Sequence, residues 1–242
     1  MNDHQVAADV AAAAGRELLA LRTEMSTRRV APFTVGARGD AVAHEVIVDA
    51  LARHRPDDMV LSEESVDDRR RLDRSRVWIV DPLDGTREFS VPGRTDWAVH
   101  VALVADEVPV AAAVALPAQG ITLATEPAPP RPPAAVPPRV ITSRSRPGRR
   151  SRQIADALGA SIVQMGSAGA KAAAVIGGHA EVYAHASGLY EWDLCAPAAV
   201  AAAAGLHVSR LSGAPLRFNQ PDTYVSDFVI CHPDLAPAVI TP

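Results

Sequence analysis

Cysteine and lysine are almost missing from this chain. Its two cysteines, Cys195 and Cys231, are too few for a disulfide framework or a cysteine-ligated metal site. Of 24 lysines and arginines only Lys171 is a lysine, against a background of arginine and alanine enrichment. Such a lone lysine is either chance or a residue held by its chemistry. An excess of positive charge is also missing: the net charge is −4 and the isoelectric point about 6.1. A nucleic-acid polymer would want a basic face, so the expected partner is small. No long unbroken apolar run occurs. The opening stretch MNDHQVAADVAAAAGRELLALRTEM carries Asp9, Arg16, Glu17 and Arg22 at amphipathic-helix spacing, unlike a secretory or membrane-spanning segment. These absences predict a cytoplasmic protein that neither enters a membrane nor binds a nucleic-acid polymer.

What is present is enough apolar sequence, 48% of 242 residues, for one large core or two halves sharing one. Helices are expected over Val6–Met25 and Asp40–Arg53, followed by strands at MVLS, VWIV, WAVHVALVA, VPVAAAVAL and ITLAT. A proline-rich stretch, EPAPPRPPAAVPPR, reads as a connector. Beyond it strands and helices alternate: RVITS, RQIADALG, IVQMG, AGAKAAAVIGG, EVYAHA, WDLCAPAAVAAAAG, LHVSRL and FVICH. The expected organisation is an α+β half (1–125), a connector (126–138) and a layered α/β half (139–242).

Chemistry concentrates in VWIVDPLDGTREFS. Two aspartates, Asp81 and Asp84, follow a core strand, where layered folds open onto clefts. Gly85 permits close backbone approach, and Thr86 starts a helix whose amides favour an anion. Carboxylates beside an anion site repel a phosphate unless a cation lies between them; Mg²⁺ is commonly shared between one or two carboxylates and phosphate oxygens. The alternative is an acidic turn with Asp84 as a helix cap. Further acids stand at Glu63 and Glu64 after MVLS, at Asp193 in EWDLC, and at Asp40, read as a helix start. Each has a bland reading as a solvated edge or a first-turn carboxylate. Together, converging carboxylates would require a multivalent cation, as in two-metal phosphoryl sites. Other motifs fail. The spacing D-x-x-D-G-T is not the D-x-D-x-T of haloacid-dehalogenase phosphatases. GSAGAK is not a P-loop, and AHASGL, with Ser187, lacks a serine-hydrolase elbow. His44, His54 and His100 read as helix-surface or strand residues.

The set SEE, DPLDGT, GS and EWD, in that order, resembles the inositol monophosphatase superfamily of Mg²⁺-dependent, lithium-sensitive phosphatases along nearly the whole chain. DGTREF and TSRSRP lean toward its CysQ-type 3'-phosphoadenosine 5'-phosphate phosphatases, with Arg146–Pro147 departing from their S-R-S-H. The resemblance implies a layered αβαβα sandwich and two or three Mg²⁺. Glu63, Asp81 and the Leu83 carbonyl would hold one ion, and Asp81, Asp84 and Asp193 a second. Asp40, Glu63, Glu64 and Thr86 would position the attacking water, and the amides of Gly85 and Thr86 the phosphate. Ser143, Arg144, Gly166, Lys171 and Glu191 would face the nucleotide end, with Arg144 or Lys171 taking its 5'-phosphate. A homodimer is implied by analogy. The expected reaction is hydrolysis of a small phosphate monoester, 3'-phosphoadenosine 5'-phosphate to AMP and phosphate, by metal-activated water. The alternatives are an inositol-, sugar- or biosynthetic-pathway phosphatase and an inactive nucleotide-binding protein. Two departures bear on this: APFTVGARGD lacks the lysine and V-T-x-x-D spelling of relatives, and LAPAVITP ends where relatives often continue into a helix.

Overall fold

A computed structural model describes residues 1–240 except Arg29, Arg146 and Ser187. Arg146 of TSRSRP, Ser187 of AHASGL and the end of LAPAVITP therefore lie outside the described residues. The elements in chain order are α1 (Asp3–Thr27), α2 (Pro32–His54), β1 (Met59–Ser62), β2 (Arg76–Asp84), α3 (Thr86–Phe89), β3 (Ala98–Ala105), β4 (Val108–Leu116) and β5 (Ile121–Ala124). After residues 125–138 come β6 (Arg139–Ser143), α4 (Arg149–Leu158), β7 (Ser161–Met165), α5 (Ala168–Ile176), β8 (Val182–His185), β9 (Leu189–Tyr190), α6 (Glu191–Ala203), β10 (His207–Ser209), β11 (Tyr224–Val225), β12 (Phe228–Cys231) and α7 (Ala236–Val239). Among the described residues no helix is long and apolar enough to cross a membrane.

Two five-stranded sheets form, in the orders β1-β2-β3-β4-β5 and β10-β12-β8-β6-β7. The first is antiparallel except for the parallel β1–β2 pair. In the second, β6 pairs in parallel with β7 and β8, and β8 pairs antiparallel with β12. The period-two alternation of strands explains the layering. Trp78, Val80, Val99, Val101, Leu103, Ala111 and Ala113 face α1 and α2. Their neighbours Val77, Ile79, Ala98, Ala102, Val104, Ala112 and Val114 face a middle layer of α5 and α6, which also packs on Ile141, Tyr183, Phe228 and Ile230 of the second sheet. Val140, Val182, Ala184, Val229 and Cys231 face outward onto α4 and α7. The result is the expected αβαβα sandwich, and sheets buried on both faces account for near-continuous runs such as VWIV and VPVAAAVAL. Both cysteines are free and buried.

Two sequence expectations are corrected. Asp81 and Asp84 do not follow β2 but lie inside it, Asp81 paired with His100 and Asp84 with Ala98 across a register irregularity. Pro82 sits between them and has no N–H for the ladder, so the strand bulges there. In regular pleat two residues three apart point to opposite faces; the irregularity turns both aspartates toward α5 and α6. Asp40, read as a helix start, instead lies well inside α2, which begins at Pro32. Proline fits the first helical turn, and Gly36 and Gly39 are buried where α2 crosses the segment Leu83–Ser90.

Candidate metal and phosphate site

The C-terminal part of β2 meets the N-termini of α5 and α6 in the middle layer. Asp81 is buried at 1% exposure, and its two oxygens differ. Oδ1 accepts the Leu83 amide at 3.0 Å, whereas Oδ2 has no hydrogen-bond partner and only His100 Nδ1 at 4.0 Å within ion-pair range. Asp84 Oδ2 accepts the Ser167 hydroxyl at 2.5 Å and the Gly169 amide at 2.6 Å. Ser167 caps α5 with φ 51°, a positive φ unusual for a residue other than glycine, held by that bond and by the Ala170 amide donating to its Oγ. Asp193, in the first turn of α6, accepts the Tyr190 amide at 2.7 Å. One ligand oxygen each from Asp81, Asp84 and Asp193 falls within 4.8 Å of the others, a set able to hold a metal ion. A buried carboxylate oxygen with no hydrogen-bond donor fits a metal ligand, and an all-oxygen set suits a hard cation.

Glu63 and Glu64 follow β1 and are exposed. Glu63 shares with Asp84 and Asp193 the walls of a cavity of about 290 Å³, which Ser143, Lys171 and His185 also line. A larger cavity of about 450 Å³ lies between α1, α2 and Phe89, and no carboxylate lines it. Thr86, beginning α3, directs its hydroxyl to Asp40 Oδ1 at 3.3 Å and the Leu83 carbonyl at 3.2 Å. Gly85 precedes it with φ 91°, and a β-carbon there would stand 3.1 Å from Ser167 Cβ and 3.3 Å from the Trp97 backbone, so glycine is required on both counts.

The acids repel one another. Burial, then Asp84, Glu63 and Asp193, raise Asp81 well above the usual carboxylate range. Burial and the Glu64 charge push Asp40 up to about 7. Crowding out of water, then Asp193, Glu64, Asp40 and Asp84, push Glu63 up to about 7, although much of its side chain is open to solvent. Burial and Asp84 raise Asp193 to about 6. Asp84 runs the other way: burial would raise it, but His100, Lys171 and Ser167 together hold it below the usual range.

His100 is the residue that sequence reasoning passed over. It is on a strand, as expected, yet fully buried inside the site. Its Nδ1 lies 3.0 Å from the Trp192 carbonyl, which can only accept, so Nδ1 carries a proton. Nε2 lies 3.3 Å from Asp84 Oδ2, within ion-pair range but without an aligned hydrogen bond. Burial would lower its pKa, but Asp84 and the Trp192 carbonyl raise it on balance, so it serves Asp84 as a buried counter-charge. Gly169 makes room: a β-carbon there would come within 2.1 Å of Nε2. Replacing His100 by leucine is expected to lower the stability of the metal-free protein by about 3–5 kcal/mol, because Asp84 loses its buried partner. Urea denaturation in EDTA measures this; an unchanged midpoint would refute the pairing. The sequence carried no signal for it; the β2–β3 register of the structure places His100 opposite Asp81.

The remaining expected residues are dispersed. Ser143 lines the cavity. Arg144 lies in an adjoining one and pairs with Asp96 at 3.1 Å. The Gly166 amide donates to Asp96 at 2.7 Å. Lys171 lines the main cavity but is buried, its ammonium donating to the Ser167 carbonyl at 2.6 Å and its pKa lowered by burial. Glu191 is not among the residues lining either cavity; its carboxylate accepts the Asn219 and Gln220 amides at 2.6 and 2.8 Å. Those bonds, with buried Arg71 donating to the Asn219 side chain and the Gln220 carbonyl, tie the start of α6 to a distant turn.

Residues 5–241 match the model of the inositol monophosphatase family. The chain is 46% identical to the 3'-phosphoadenosine 5'-phosphate phosphatase of Mycobacterium leprae, over 99% of this chain and 93% of that protein. It is 47% identical to the protein of the same name from Mycobacterium bovis, over 94% and 88%. Among solved structures, CysQ from Bacteroides thetaiotaomicron superposes with a TM-score of 0.78 at 28% identity, covering 95% of this chain and 96% of that one.

Proposed function

Because this chain belongs to the inositol monophosphatase family, we propose that it is an Mg²⁺-dependent enzyme converting 3'-phosphoadenosine 5'-phosphate to AMP and phosphate. The observation that carries the hydrolase reading is the unpartnered Asp81 Oδ2 set among Asp84 and Asp193 beside the Gly85–Thr86 turn. The nucleotide is supported by what the two mycobacterial relatives are named for.

Two or three Mg²⁺, held by Glu63, Asp81, Asp84, Asp193 and the Leu83 carbonyl, would supply the positive charge that acidifies water and stabilises the departing oxygen. The chain does the rest. Amides of Gly85 and Thr86 hold phosphoryl oxygens. The Thr86 hydroxyl has one proton, directed to Asp40 or the Leu83 carbonyl, so toward water it can only accept. It thereby orients a water whose remaining proton goes to Asp40, a group raised to about 7 and so poised as a base near neutral pH. Glu64, beside Asp40, helps keep that value high.

A phosphate-release panel tests the reading: the 3',5'-bisphosphate, 3'-AMP and inositol 1-phosphate, each with Mg²⁺ and again with lithium. Mg²⁺-dependent, lithium-inhibited release with the highest kcat/KM on the bisphosphate is expected. Equal turnover of inositol phosphate would overturn the nucleotide assignment, and no release from any substrate would overturn the hydrolase.

A further inference from the structure

The cavity acids are carried by elements of unequal firmness. Asp81 and Asp84 are fixed within the ladder of β2. Glu63 stands on a turn after β1 that is exposed from Glu63 to Val66, the last at 95%. Its bonds back to β1 are long: the Glu64 amide donates to Ser62 Oγ at 3.3 Å and the Ser65 amide to the Ser62 carbonyl at 3.4 Å. Asp193 stands at the start of α6, in the other half of the chain, and lines the same cavity as Glu63 with the same sign of charge. How these two acids face each other therefore depends on what holds the far end of the turn.

That end is held by Arg71, whose side chain is fully buried. Its Nε and Nη2 grip Asp67 as a bidentate fork, at 2.6 and 3.0 Å. Nη1 donates to Asn219 Oδ1 at 2.7 Å, and Nη2 also donates to the Gln220 carbonyl at 2.9 Å. Four of the five N–H groups of the guanidinium are thus engaged. The amides of Asn219 and Gln220 are the ones that donate to Glu191, and the Glu191 amide donates to the Thr223 carbonyl at 2.8 Å. Just beyond, β11 pairs with β9, which leads into α6. A continuous relay runs from Asp67 through Arg71, Asn219–Gln220 and Glu191 to Asp193 two residues on. A buried ion pair seldom adds net stability over apolar packing of similar volume, so stability alone does not account for the relay. What a bidentate fork adds is a defined geometry between the segments it joins.

We propose that Arg71 is a positioning residue for the cation site: it fixes the Glu63 turn against the start of α6, so that Glu63 and Asp193 are brought to one cavity against their mutual repulsion. The inference rests on the Mg²⁺-dependent reading above. Arg71 touches neither the cavity nor a ligand oxygen; it acts through Asp67 on one side and Asn219, Gln220 and Glu191 on the other.

The test is a calorimetric Mg²⁺ titration of the metal-free protein in wild type, Arg71→Lys, Asp67→Asn and Asn219→Gly, with urea denaturation of each in EDTA. Arg71→Lys keeps the charge and loses the fork. Asp67→Asn and Asn219→Gly change half-buried residues and leave Arg71 in place, so they decide the matter if the lysine variant does not fold; glycine also suits the φ of 59° at Asn219. The half-saturating Mg²⁺ concentration should rise about tenfold or more in each, the scale for groups that orient metal ligands. Turnover of the bisphosphate at saturating Mg²⁺ should fall far less. Combining Asp67→Asn with Asn219→Gly should cost less Mg²⁺ affinity than the two separate losses together, because both act through Arg71. A lowered urea midpoint with unchanged Mg²⁺ affinity would make Arg71 a folding residue only and overturn the proposal, and so would full additivity. If wild type bound no Mg²⁺, the metal reading itself would fall; wild-type binding matched by all three variants would sink the relay alone.

Discussion

Asp81→Asn is expected to abolish phosphate release, by about 10³-fold or more, well beyond the 10–100-fold typical of residues that only support a metal ligand. The same change should leave the metal-free protein as stable or more so. Asp81 is buried, raised far above the usual carboxylate range by burial and by three neighbouring acids, and its charge is a liability without a cation. An amide of the same shape removes that repulsion and can still accept the Leu83 amide. What it cannot do is supply the anionic oxygen left without a donor. Differential scanning calorimetry with EDTA and with Mg²⁺ therefore separates two roles. A metal-site role predicts that the Mg²⁺-induced rise in Tm disappears in the variant, whereas a turn or cap role predicts that it persists. Persistence, with activity retained, would sink the site.

The pH dependence of stability should invert the usual acid-labile pattern. In EDTA, Tm should fall as pH rises from about 4 to about 7, and Mg²⁺ should stabilise more at pH 7.5 than at pH 5. Asp40 and Glu63 are raised to about 7 and Asp193 to about 6, from ordinary values near 4, and Asp81 is raised well above the ordinary carboxylate range. Between those limits the native state holds protons that the unfolded chain has lost, so stability declines with pH, by up to ~1.4 kcal/mol per pH unit for each whole proton of difference. Glu191, raised to about 7 by burial, adds to the slope away from the cavity, while solvent screens the contribution of Glu63. Asp84 has the opposite sign, but its depressed value confines it to lower pH, outside this window. Metal ions compete with the protons on the site acids, so Mg²⁺ affinity climbs as they leave. A Tm in EDTA that is flat or rising over the window, or an Mg²⁺ shift equal at both pH values, would contradict the convergence of these acids.

Much of the fold was legible because period-two apolar runs and helical stripes are local signals: strands from MVLS to FVICH and the helices other than the start of α2 fell close to where composition and turns placed them. The misreadings were also local. The start of α2 was set at Asp40 rather than Pro32; what admits Gly36 and Gly39 to the helix, close packing of α2 on Leu83, Thr86 and Phe89, lies elsewhere in the chain. Glu191 looked like a site residue because it adjoins Trp192 and Asp193, yet its carboxylate turns toward Asn219 and Gln220. Nothing in the spelling of RTDWAVHVAL set His100 or Asp96 apart from ordinary strand and loop residues.

The order of the acids along the chain, the D-P-L-D-G-T spelling and the apolar periodicities were enough to establish the class of fold and the kind of chemistry, because each depends on residues close in sequence. Which oxygen of Asp81 lacks a donor, which imidazole balances Asp84, and which arginines share Asp96 were decided only by tertiary structure. Those are properties of distance and desolvation between side chains from different elements, and a one-dimensional pattern carries neither.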